Sequence, residues 1–136
     1  MSKAFLDTNI ILRLLIKDDE VKIKSCLELI KNANEREASL YLLPVTILEI
    51  VWVLEKVYKY SRQNIVELVG AILNTPGIKT ESEEVFRKAL SDYETKGIKF
   101  ADAVMGHWGM EKGFTTVYTY DEKDFKKIEG LEVKKP

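Results

Sequence analysis

Lys3-Ala4-Phe5-Leu6-Asp7-Thr8-Asn9 reads as a short apolar strand, taken as buried, that ends on an acid. The apolar stretch Ile10 to Ile16 follows directly, and Asp7 is the only charge between Lys3 and Arg13. A strand that turns at its carboxyl end into a second apolar segment is how an α/β unit begins, so we read outward from it. Residues 20–37 carry Ile23, Leu27 and Ile30 at i, i+4 and i+7, the helical period. Leu40 to Leu43 predicts a second strand, and Pro44 suits the first turn of a helix over Val45 to Tyr58. Ser61 to Leu73 predicts another helix, with Ile65, Val66, Val69, Ile72 and Leu73 on one face. Asn74-Thr75-Pro76-Gly77 is a turn, and Ile78-Lys79 a very short strand. Thr80 with Glu83 reads as a capping box for a helix to about Lys96, with Val85, Phe86, Ala89, Leu90 and Tyr93 inward and Gly97 as its cap. Ile98 to Lys112 is a further helix closed by Gly113. Thr115 to Thr119 is a β-branched strand, Asp121 to Ile128 a short helix, and Leu131 to Val133 an edge strand. Short apolar strands separated by helices indicate an α/β domain with a mostly parallel sheet. Ligands of such sheets sit at the carboxyl ends of the strands.

The composition bounds what such a domain can do. At 136 residues the chain makes one domain, 1–136, and buries about two-thirds of its unfolded surface. Hydrophobic residues make up 46% and charged residues 32%, ordinary for a soluble protein. No apolar run reaches the ~18 residues a membrane span needs. No signal peptide is evident, so a cytoplasmic address is expected. A single cysteine, Cys26, excludes an intrachain disulfide and a four-cysteine zinc site, and reads as packing. The first glycine is Gly70, and neither GxGxxG nor a Walker A pattern occurs. With a net charge of -1, no bulk basic field attracts nucleic acid.

Carboxylates remain, and three stand alone in apolar segments. Besides Asp7 they are Glu49, within Ile47 to Leu54, and Asp102, the only charge between Lys99 and Glu111. An apolar helix around Glu49 should be buried, and an unpaired buried carboxylate costs several kcal/mol. Asp121 follows the Thr115–Thr119 strand. Gathered at one sheet edge, such acids repel by about 4 kcal/mol per pair at 4 Å and an effective dielectric of 20. A divalent cation relieves this, and oxygen-only ligation suits Mg²⁺ or Mn²⁺. The plainer reading makes Asp7 a helix cap, Asp121 or Asp124 another, and Asp102 a partner of its helix dipole.

The blocks Phe5-Leu6-Asp7-Thr8-Asn9, Glu49 in an apolar helix, Phe100-Ala101-Asp102-Ala103 and Thr119-Tyr120-Asp121-Glu122-Lys123-Asp124-Phe125 resemble the PIN-domain nucleases. The likeness is greatest to the short VapC-type toxins. It implies a three-layer α/β/α domain with a mostly parallel central sheet flanked by helices, and a metal-dependent endoribonuclease. It also implies Asp7, Glu49, Asp102 and Asp121 as catalytic and metal-ligating acids for Mg²⁺ or Mn²⁺, supported by Thr8, Thr119 and Asp124. Because Asp121-x-x-Asp124 is one residue longer than the common Asp-x-Asp-Phe form, either acid can face the metal; Asp121 is preferred. The resemblance further implies RNA as substrate, 5′-phosphate and 3′-hydroxyl products, a cognate antitoxin and a homodimer. The helices at 61–73 and around Glu49 are reasonable docking faces.

Arg13, Lys17, Lys99, Lys123, Lys126 and Lys127 are candidates for phosphate contacts. Tyr58, Tyr60, Trp108, Tyr118 and Tyr120 are candidates for base stacking, while Trp52 is expected in the core. His107 lies about 140° round the helix from Asp102 and is read as structural or interfacial. Two rival classes stay open: a receiver- or phosphatase-like phosphotransfer domain, which lacks a place for Glu49, and a non-cutting PIN-like scaffold.

Overall fold

The computed structural model describes residues 3–36 and 38–136. The last residue of the expected 20–37 helix, Glu37, lies outside them. The chain forms two compact units, Met1–Glu81 and Ser82–Pro136.

The first unit is a parallel three-stranded sheet in the order β1 (Lys3–Phe5), β2 (Ser39–Leu42), β3 (Ile78–Thr80). Ala4 pairs with Leu40, and Leu40 with Ile78. Parallel neighbours need helical crossovers. These are α1 (Thr8–Ile16) and α2 (Glu20–Glu35) between β1 and β2, then α3 (Pro44–Lys56) and α4 (Arg62–Leu73) between β2 and β3. Pro44 opens α3 as expected, and Ser61 caps α4, accepting from the Asn64 N–H at 3.2 Å. The core is Leu6, Ile11, Ile30, Leu42, Ile50, Leu54, Ile65 and their neighbours. Cys26 is buried among the packing residues of α2, as read.

Three expectations are corrected here. Among the described residues β1 lies at the edge of its sheet; Lys3, Ala4 and Phe5 are exposed, and Leu6 is the residue that enters the core. The α3 helix is not buried all round. Its inward face is Ile47, Ile50, Val51 and Leu54, and the 3.6-residue period turns Val45, Glu49 and Trp52 outward. Trp52 is 57% exposed and is not core, and Glu49 is exposed too.

The second unit packs α5 (Glu83–Thr95) against α6 (Phe100–Glu111) and pairs β4 (Thr116–Tyr118) in parallel with β5 (Glu132–Lys134) across the short α7 (Glu122–Phe125). Val85, Phe86, Ala89, Leu90 and Tyr93 are all buried, as the period requires. Tyr93 meets the Phe100 ring edge-on, with centroids 5.8 Å apart. The capping box does not form: Thr80 is spent in β3, and Ser82, in the left-handed region at φ 57°, caps α5 without a side-chain bond. Glu83 and Glu84 favour the helix dipole instead. No helix among the described residues is long and apolar enough to cross a membrane.

Candidate metal centre

In the first unit Asp7 sits where strand gives way to helix, and Glu49 lies in the second turn of α3. Asp7 occupies the N-cap position of α1 with extended backbone, yet its carboxylate makes no cap bond. The capping reading of Asp7 therefore fails on geometry, and the carboxylate is exposed. Thr8 is buried, and its hydroxyl donates to Glu49 Oε2 at 3.1 Å. One hydroxyl thus ties the residue after Asp7 to the Glu49 carboxylate of α3.

In the second unit Asp102 lies in the first turn of α6, partly buried. Burial raises its pKa above the ordinary carboxylate value; repulsion from Asp124 and Asp121 adds to this, and Lys99 opposes it. Asp124 is buried and accepts from the Lys99 backbone N–H at 3.0 Å, with Lys127 Nζ 4.0 Å away. That carboxylate is spent on holding the start of α6. Asp121 stands at the N-cap position of α7, exposed, again without a side-chain cap bond. Thr119 shapes the turn beneath it: its Oγ1 accepts from the Asp121 N–H at 3.0 Å and donates to the Asp121 carbonyl at 3.3 Å. The donors are all oxygen, the set a hard divalent cation takes. Among the described residues, no group of three or more Asp, Glu, His or Cys side chains is gathered as a metal ion would need.

Residues 4–131 match the PIN domain family model, a span that runs through both units. The chain belongs to the PIN domain family. Its sequence is 27% identical over 123 residues to a VapC ribonuclease of Aquifex aeolicus (strain VF5), covering 90% of each chain. Among solved structures it resembles VapBC2 from Rickettsia felis bound to a DNA fragment from their promoter, with 19% identity, a TM-score of 0.41 and 99% of each chain covered. PIN membership agrees with the expected α/β class and sets aside the receiver- and phosphatase-like readings.

The remaining candidates of this PIN domain divide by what already engages them. Lys126 pairs with Glu122 at 2.6 Å, and its hydrogen bond and charge, with help from Lys135, hold the half-buried Glu122 below the usual carboxylate pKa. Lys127 donates to the Lys96 carbonyl at 3.1 Å while Lys96 donates to that of Lys127 at 3.0 Å, a reciprocal clasp. Arg13 pairs with Asp18 at 3.0 Å. His107 is structural, as read: its Nε2 lies 2.6 Å from Asp92 Oδ2, joining α6 to α5. Asp92 is the acid that sequence reasoning missed. It sits in a strongly charged stretch, so nothing marks it as buried until α5 and α6 pack.

Proposed function

We propose that this chain is a metal-dependent endoribonuclease that hydrolyses RNA phosphodiester bonds as the toxin of a VapBC-type toxin–antitoxin pair. The PIN family match over residues 4–131 carries the reading. The likeness to a VapC ribonuclease along 90% of each chain supports its toxin form. Both units together make one nuclease domain, which acts in the cytoplasm, as a homodimer and under the control of a cognate antitoxin.

Asp7, Glu49, Asp102 and Asp121 are the proposed ligands of Mg²⁺ or Mn²⁺. The unused carboxylates of Asp7 and Asp121 and the raised pKa of Asp102 support the assignment. When bound, the ion would polarise the scissile phosphate and lower the pKa of a water. The chain's own part is positioning. Thr8 orients Glu49, Thr119 holds the turn that presents Asp121, and Asp124 anchors the Lys99 N–H three residues ahead of Asp102. With Asp124 engaged in that bond, Asp121 is the better ligand. A non-cutting scaffold is the second reading, favoured by the lack of a three-acid group among the described residues.

Calorimetric Mn²⁺ titration and cleavage of single-stranded RNA, each on wild type, Asp7→Asn and Asp102→Asn, separate the two. The nuclease reading expects saturable binding weakened at least about tenfold by either substitution, and cleavage lost with it. Wild-type protein that binds RNA but leaves it intact with Mn²⁺ present supports the scaffold.

A further inference from the structure

We infer that a pocket beside α1 binds one nucleotide of a single-stranded RNA, with the Tyr58 ring against the base and the Arg13 guanidinium on the phosphate. The choice of RNA rests on the nuclease reading above. The pocket is about 140 Å³ and is lined by Asn9, Leu12, Arg13, Ile16, Asp18 and Tyr58, all of the first unit. Asn9 and Arg13 are four residues apart and so share a face of α1. Arg13 lies six residues beyond Asp7, about 9 Å along the helix at 1.5 Å per residue. At 100° per residue, Asn9 and Arg13 lie about 160° and 120° round the helix from Asp7, so the pocket is on another face of α1 than the proposed catalytic acid.

Two features suit it to a nucleotide. Arg13 Nη1 bonds Asp18 Oδ1 at 3.0 Å, which orients the guanidinium and uses one of its five N–H donors. The pair is 35% and 52% exposed, so it adds little stability of its own and a phosphate can compete for it. Tyr58 is braced by Tyr60, ring centroids 6.1 Å apart at 57°, and offers an aromatic surface on which any base can stack.

The test is fluorescence anisotropy of a labelled short single-stranded oligoribonucleotide in EDTA, where cutting cannot confuse binding. Tyr58→Ala should weaken binding on the order of tenfold, and Tyr58→Phe, which keeps the ring, should restore it. Arg13→Ala should weaken binding and reduce the salt dependence by about one phosphate contact. Lys24→Ala on α2 serves as the surface control, and Mn²⁺ titration should be unchanged in all variants. The inference is overturned if wild type does not bind, if Tyr58→Ala and Arg13→Ala bind no worse than Lys24→Ala, or if Tyr58→Phe is as weak as Tyr58→Ala. RNA bound in this pattern yet never cut with Mn²⁺ would sink the nuclease reading and leave the pocket standing. RNA cut normally by Tyr58→Ala and Arg13→Ala would do the reverse.

Discussion

Thr8 is buried, and its hydroxyl reaches Glu49 at 3.1 Å, a contact its methyl group cannot replace. Thr8→Val keeps the shape and removes the donor. We expect Mn²⁺ affinity to fall roughly tenfold by calorimetry, the usual effect of losing support behind a metal ligand. Asp102 behaves differently. Its pKa is raised, first by burial, so in the native state its charged form is disfavoured relative to the unfolded chain. The native state then holds its proton more tightly, and the charge costs stability once pH exceeds the folded pKa; the cost disappears below the unfolded pKa. Asp102→Asn should therefore melt higher than wild type at pH 7 without metal. The gap should close in acid, where both side chains are neutral, while Mn²⁺ binding is lost. Equal melting temperatures at pH 7 would show that Asp102 carries no such cost. Asp7 and Asp102 were legible from sequence because each is a lone charge in an apolar run. The exposure of Glu49 was not, because composition alone does not say which face of α3 turns inward.

Gly77 shows what an element boundary demands. It has φ +93°, and a Cβ there would lie 2.8 Å from the Ile30 carbonyl oxygen of α2. Both the left-handed backbone and the close approach require glycine. Gly77→Ala should destabilise the protein by about 1–3 kcal/mol in urea unfolding, with no loss of Mn²⁺ binding beyond that caused by unfolding. At this scale periodicity was a good guide. The interior face of α5 and the Pro44 start of α3 follow from residue spacing alone. The Thr80–Glu83 box failed because a strand and a cap competed for Thr80, and strand pairing with Leu42 won. Trp52 misled for a related reason. Two apolar neighbours on each side suggest burial, but a helix has only one inward face.

For the whole molecule, the proposal that Asp7, Glu49, Asp102 and Asp121 serve one site has a thermal consequence. Mn²⁺ at about 100 times its dissociation constant should stabilise the wild type by about 2.7 kcal/mol, raising Tm, and EDTA should reverse it. Asp7→Asn alone and Asp102→Asn alone, each weakening binding at least about tenfold, should cut the rise to about half or less. A rise unchanged by either substitution would place the ion elsewhere. The sequence by itself determined the α/β class, the parallel strand pairing and the acids that stand alone, because period and isolated charge are local properties of the chain. The tertiary structure decided how individual groups are used. It spent Asp124 on the Lys99 backbone, left Asp121 and Asp7 unused as caps, turned Glu49 outward against Thr8, and closed Asp18 onto Arg13. Those outcomes depend on which atoms meet across the fold, and spacing along a chain does not carry that information.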